Sequence, residues 1–110
     1  MYEVLISNYF AKQLKRLAKK SHKFKENLRT ALFSFNKTQS ISIGHGVYKF
    51  RISAENKGKS GGYRVYVYVV EINKMLTPIA IYSKNEKENL TLNEVSEHLA
   101  MVKTELSALL

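Results

Sequence analysis

The spacing of apolar residues along the chain changes twice, and each change predicts a different element. Residues 2–7 alternate over a few positions and predict a short first strand. The period then lengthens, and Phe10, Leu14, Leu17 and Ala18 fall on one helical stripe, with Ser7 or Asn8 placed to cap it. The opposite side of that helix is Lys12, Lys15, Arg16, Lys19 and Lys20. Phe24, Leu28, Leu32 and Phe35 predict a second helix over residues 23–35. Only residues 20–22 separate the two, which reads as a helical hairpin laying its apolar sides on a sheet.

Beyond the hairpin the period falls to two. In residues 47–54, Val47, Lys49, Arg51 and Ser53 share one side, and Tyr48, Phe50, Ile52 and Ala54 share the other. Residues 63–72 are β-branched and aromatic and form the strongest predicted strand. A turn at Asn73–Lys74 leads into a further strand over residues 76–83, where Pro78 suits an edge or an irregular start. Thr91 and Glu94 have capping-box spacing, and Val95, Leu99, Val102 and Leu106 mark one face of a last helix. The order β-α-α-β-β-β-α is an α+β class: a small, mainly antiparallel sheet with an N-terminal helical hairpin and a C-terminal helix. No repeat, low-complexity tract or linker interrupts residues 1–110, which read as one domain.

Composition narrows the options. The chain is 45% hydrophobic and has no cysteine, which excludes disulfides and thiolate metal sites and fits a reducing cytoplasm. There is no signal-peptide layout and no apolar run of membrane-spanning length, so no membrane partner is expected. His22, His45 and His98 are dispersed, so neither a metal site nor a cofactor is expected. Aspartate is absent, which removes a Ser-His-Asp triad. The net charge of +9 is unevenly spread: residues 1–70 carry 14 Lys/Arg against three Glu, and residues 71–110 carry four against six. Such asymmetry suggests a basic face for a polyanion, nucleic acid ahead of an acidic membrane surface, with plain solubility as the ordinary alternative.

The cations gather in the middle. Strand alternation puts Lys49 and Arg51 on one side. Pairing of residues 47–54 with residues 63–72 brings Arg64 to that side, below a loop carrying Lys57 and Lys59. The end of the next strand adds Lys84 and the carboxylate of Glu86. A wet sheet face is the plain reading, but a wet face usually mixes signs and this one is almost wholly positive. Tyr63, Tyr66, Tyr68 and Tyr82 are candidates for stacking on bases, or simply core.

Three runs of residues carry a family resemblance. Tyr48-Lys49-Phe50-Arg51-Ile52, the loop Lys57-Gly58-Lys59-Ser60-Gly61-Gly62-Tyr63-Arg64, and Ile81-Tyr82-Ser83-Lys84-Asn85-Glu86 resemble the RelE/HigB toxins of bacterial type II toxin–antitoxin modules, the HigB-like branch most closely. The resemblance implies a RelE-like fold and a cytoplasmic, ribosome-dependent endoribonuclease cleaving mRNA during translation. It also implies a cognate antitoxin of helix-turn-helix type, with the ribosome and mRNA as further partners. By position, Lys49, Arg51, Arg64 and Lys84 match the family's catalytic cations. Asn85 stands where the RelE branch has arginine, and Thr91 where it has a catalytic tyrosine, so those two roles do not carry over. Proton transfer is left to Lys49, Lys84 or Glu86. Lys57, Lys59, Lys12, Lys15, Arg16 and Lys19 are expected to meet RNA phosphates, although the helix cations suit an acidic antitoxin segment equally. The alternatives are a ParE-like, gyrase-inhibiting toxin and a non-catalytic RNA-binding module.

Overall fold

A computed structural model describes residues 1–18, 23–53 and 62–109, apart from the side chain of Ala18. The elements are β1 (Glu3–Val4), α1 (Asn8–Ala18), α2 (Phe24–Phe33), β2 (Ile41–Gly44), β3 (Val47–Ile52), β4 (Tyr63–Val70), β5 (Met75–Ser83) and α3 (Leu92–Leu109). The strands form one sheet in the order β1-β5-β4-β3-β2. Pairing is antiparallel except for the two-residue parallel contact of β1 with β5. The α+β architecture is the expected one with one strand added. That strand, β2, joins β3 through Gly44-His45-Gly46, a turn in which all three residues have positive φ. Its signal, Ile41 and Ile43 alternating before a glycine-flanked turn, was present in the sequence.

Helices cover both faces of the sheet. On one face, Phe10 and Leu17 of α1 and Phe24, Leu28 and Leu32 of α2 pack on Ile52, Val65, Val67, Val69, Leu76 and Ile81. Helix α2 ends earlier than its periodicity suggests, and Phe35 folds back so that its ring meets Tyr2, Tyr48 and Phe50 at 5.8–5.9 Å. On the other face, Val95, Leu99, Val102 and Leu106 of α3 pack on Val47, Tyr66, Met75, Ile79, Ala80 and Tyr82.

The helix ends are tied as their orphan N–H groups require. Ser7 Oγ accepts from Phe10 N at 3.0 Å. Helix α1 has no acid in its own first turn, and Glu105 of α3 supplies one, accepting from Asn8 N at 2.5 Å and Tyr9 N at 3.1 Å. Helix α3 starts with the expected capping box: Glu94 N donates to Thr91 Oγ1 at 3.1 Å and Thr91 N donates to Glu94 Oε1 at 2.8 Å.

One irregularity positions everything after it. Tyr66 lies opposite Ala80 but Val67 lies opposite Pro78, so Ile79 is an extra residue in β5. Ile79 and Ala80 consequently both face α3, and the alternation downstream is inverted. Tyr82 is thereby turned to the α3 side, and Ile81 to the α1–α2 side. Gln13 of α1 satisfies the backbone there: its Nε2 donates to Ile79 O, and its Oε1 accepts from Ile81 N, both at 3.0 Å. Pro78 lies past the pairing of β1, which ends at Val4 opposite Leu76, so its missing N–H interrupts no bond to that strand.

Candidate functional site

The strand register lays the central residues out in rows. Arg51 of β3 is directly opposite Arg64 of β4, which is opposite Tyr82 of β5. In the next row, Lys49 is opposite Tyr66, and Tyr66 is opposite Ala80. All of these share the α3 side of the sheet. Side chains directly opposite in antiparallel strands lie about 5 Å apart, a spacing at which like charges repel. Among the described residues no carboxylate pairs with Arg51, Arg64, Lys49 or Lys84; the ion pairs are Arg16–Glu86, Lys37–Glu71, Lys74–Glu71 and Lys87–Glu94.

Arg64 is the most unusual member. It is 8% exposed, and its buried Nη1 has no hydrogen-bond partner among the described residues. A buried guanidinium is costly unless an anion pairs with it. Beside it, the Tyr82 phenol is pushed up by burial and by its hydrogen bond to Tyr66, against the opposing pull of the Arg64 charge. The two rings stack with centroids 6.1 Å apart, and Tyr82 Oη donates to Tyr66 Oη at 3.4 Å.

These phenols also hold the segment leading into α3. Leu90 N donates to Tyr66 Oη at 3.1 Å, and Tyr82 Oη lies 3.4 Å from Glu88 O. The segment carries Asn89, whose Oδ1 accepts from Lys49 Nζ at 2.7 Å. Lys84 follows directly after β5, with its backbone N–H donating to Gly62 O at 3.1 Å. Gly62 has φ 134°, and a Cβ there would stand 3.1 Å from Ile52 O, so this approach of the two chain segments calls for glycine.

The sheet therefore brings Lys49, Arg51 and Arg64 together on one face, with Lys84 following β5 at the strand end. Lys12 and Lys15 are exposed on α1. Arg16 differs from them, because its Nη1 donates to Glu86 Oε2 at 2.6 Å. The other Glu86 oxygen accepts from Ser83 N at 2.9 Å. Lys19, Lys57 and Lys59 lie outside the described residues. Thr91 Oγ1 is engaged in capping α3. Asn89 and the Arg16–Glu86 pairing were not anticipated, since the partners lie 40 and 70 residues apart and no local pattern links them. Among the described residues no three His or Glu side chains converge as metal ligands. No described helix is long and apolar enough to cross a membrane.

A family model described as the RelE toxin of the RelE/RelB toxin-antitoxin system matches residues 7–109. The chain belongs to that family of toxins. Among solved structures, that of a double arginine-to-alanine mutant of the E. coli toxin RelE in the free state aligns at a TM-score of 0.48 and 17% identity, covering 79% of this chain and 87% of that one.

Proposed function

We infer that this toxin is a ribosome-dependent endoribonuclease that cleaves mRNA during translation, with the Lys49, Arg51, Arg64 and Lys84 cluster as its active site. The observation carrying this reading is the buried Arg64, whose Nη1 has no hydrogen-bond partner among the described residues and which stands opposite a second arginine. Such a pair of fixed positive charges suits the phosphate of an RNA strand.

In the proposed reaction the ribose 2′-OH attacks its own 3′-phosphorus in line. One P–O bond forms while the bond to the 5′-oxygen breaks, leaving a 2′,3′-cyclic phosphate and a 5′-hydroxyl. Negative charge builds on the equatorial oxygens, where Arg64 and Arg51 stabilise it in a site partly screened from water. Lys49 or Lys84 takes the 2′-OH proton, and a proton returns to the leaving oxygen. The stabilising cations are side chains, and no metal takes part. The exposed cations of α1, Lys12 and Lys15, meet ribosomal RNA phosphates, with Lys57, Lys59 and Lys19 expected to add to them. A cognate antitoxin holds the toxin silent in the cytoplasm. The loop and strand-end motifs of the sequence support assignment to the HigB-like branch.

Added to a translating extract, the protein is expected to cleave mRNA at codon-linked positions. Arg64→Ala combined with Lys84→Ala is expected to abolish cleavage while the circular dichroism spectrum is retained. Intact mRNA together with gyrase-linked DNA breaks would overturn this reading in favour of a ParE-like toxin. Salt-sensitive RNA binding with no cleavage would reduce the site to a binding module.

A further inference from the structure

The geometry points to Arg16 and Glu86 as positioning residues through which α1 clamps the turn that presents Lys84. This rests on the reading that Lys84 acts on RNA. Glu86 bridges two parts of the fold with one carboxylate. Its Oε2 accepts from Arg16 Nη1 at 2.6 Å, and its Oε1 accepts from Ser83 N, the last residue of β5, at 2.9 Å.

Further bonds close the same turn. Glu86 N donates back to Ser83 O at 2.9 Å, and Asn85 N donates to Ser83 Oγ at 3.2 Å. On its other side the turn is tied to β4 by Lys84 N donating to Gly62 O at 3.1 Å. Lys84 therefore sits between two anchors, one on the sheet and one on α1.

Stability alone does not account for the pair. The Arg16 and Glu86 side chains are 52% and 37% exposed, and ion pairs that exposed contribute little to folding. What the pair does is fix a direction. Gln13, one helical turn before Arg16, holds the bulge that sets the parity of the strand end, and Arg16 holds the turn immediately after it. Two successive positions on one side of α1 thus define where Lys84 leaves the sheet. Arg16 is in this respect unlike its neighbours Lys12 and Lys15, and its charge serves the chain itself.

The test compares Arg16→Ala, Glu86→Gln and the double variant in single-turnover cleavage of ribosome-bound mRNA, alongside ribosome affinity and amide exchange at Ser83. A lysine displaced by an ångström or so lowers the rate by about tenfold to a hundredfold. That loss is expected in each single variant, with unchanged ribosome affinity. The double variant should be no slower than the slower single one, and Arg16→Lys should recover part of the rate. Ser83 N–H should exchange faster in both single variants.

A loss of affinity with a normal rate in Arg16→Ala would overturn the proposal and make Arg16 a phosphate contact. Multiplying losses in the double variant would also overturn it by showing that the two residues act independently. Disappearance of the acidic limb of the pH–rate profile in Glu86→Gln alone would overturn it and make Glu86 a proton acceptor. Should the wild-type protein cleave no mRNA, the functional reading fails. Amide exchange at Ser83 then decides the clamp by itself, and unchanged protection in Arg16→Ala sinks it.

Discussion

At the scale of single residues, Arg64 sets folding against chemistry. Its guanidinium is taken out of water on a strand whose neighbour opposite is another arginine, and no described side chain offsets its charge. Desolvating a charged group without a partner costs free energy that an apolar replacement of similar length avoids. Arg64→Met is therefore expected to raise stability by about 1–3 kcal/mol in urea denaturation. The same substitution should abolish cleavage. A destabilised Arg64→Met variant would show that Arg64 holds the fold together.

At the scale of elements, the bulge in β5 does the most to define the site. Without the extra residue Ile79, strict alternation would send Tyr82 to the α1–α2 side and break its stack on Tyr66. Gln13 makes the irregular backbone tolerable by bonding both the carbonyl and the amide that the bulge releases. Replacing it with leucine keeps the bulk of the side chain but leaves two polar groups unpaired. Gln13→Leu is expected to destabilise the protein by about 1–3 kcal/mol in urea denaturation. An unchanged midpoint would mean that the bulge persists without α1.

At the scale of the whole molecule, one carboxylate clasps segments distant in sequence and a second closes the entry to α3. Glu71, next to the β4–β5 turn, accepts from Lys37 beyond α2, from the Tyr2 hydroxyl beside β1, and from Lys74. Glu94 accepts from Lys87 and from Thr91 N. The hydrogen bond from Lys37, then that from Tyr2, hold the Glu71 carboxyl at about 2 against an ordinary 4.5. The Lys87 hydrogen bond and the Thr91 N–H hold Glu94 at about 2 as well. A carboxyl lowered in the folded state stabilises fully above its unfolded value, and that contribution fades as the pH falls through the folded one. Thermal melts should show stability falling between pH 4.5 and pH 2. Glu71→Gln combined with Glu94→Gln should flatten the fall across that window. An equally steep fall in the double variant would assign the acid sensitivity to other groups.

Much of this protein was legible along the chain, because its signals are local. The periods of 3.6 and 2 mark α1, α2, α3 and β3 to β5, and alternation alone puts Lys49 and Arg51 on one side. The capping box at Thr91 and Glu94 spans three residues and appears as expected. Strand β2 was equally local, but two isoleucines before a turn made a faint pattern. The remainder depends on contacts between residues far apart. The bulge that turns Tyr82 towards Arg64 is stabilised by Gln13, which lies 66 and 68 residues from its partners. Asn89 meets Lys49 across 40 residues, and Arg16 meets Glu86 across 70. Sequence by itself determined which strand carries the cations. Tertiary packing decided which of them is buried, which is held by the chain's own carboxylate, and where Lys84 departs from the sheet. The physical reason is that side-chain periodicity is a property of neighbours, whereas burial and pairing are properties of whatever the folded chain brings alongside.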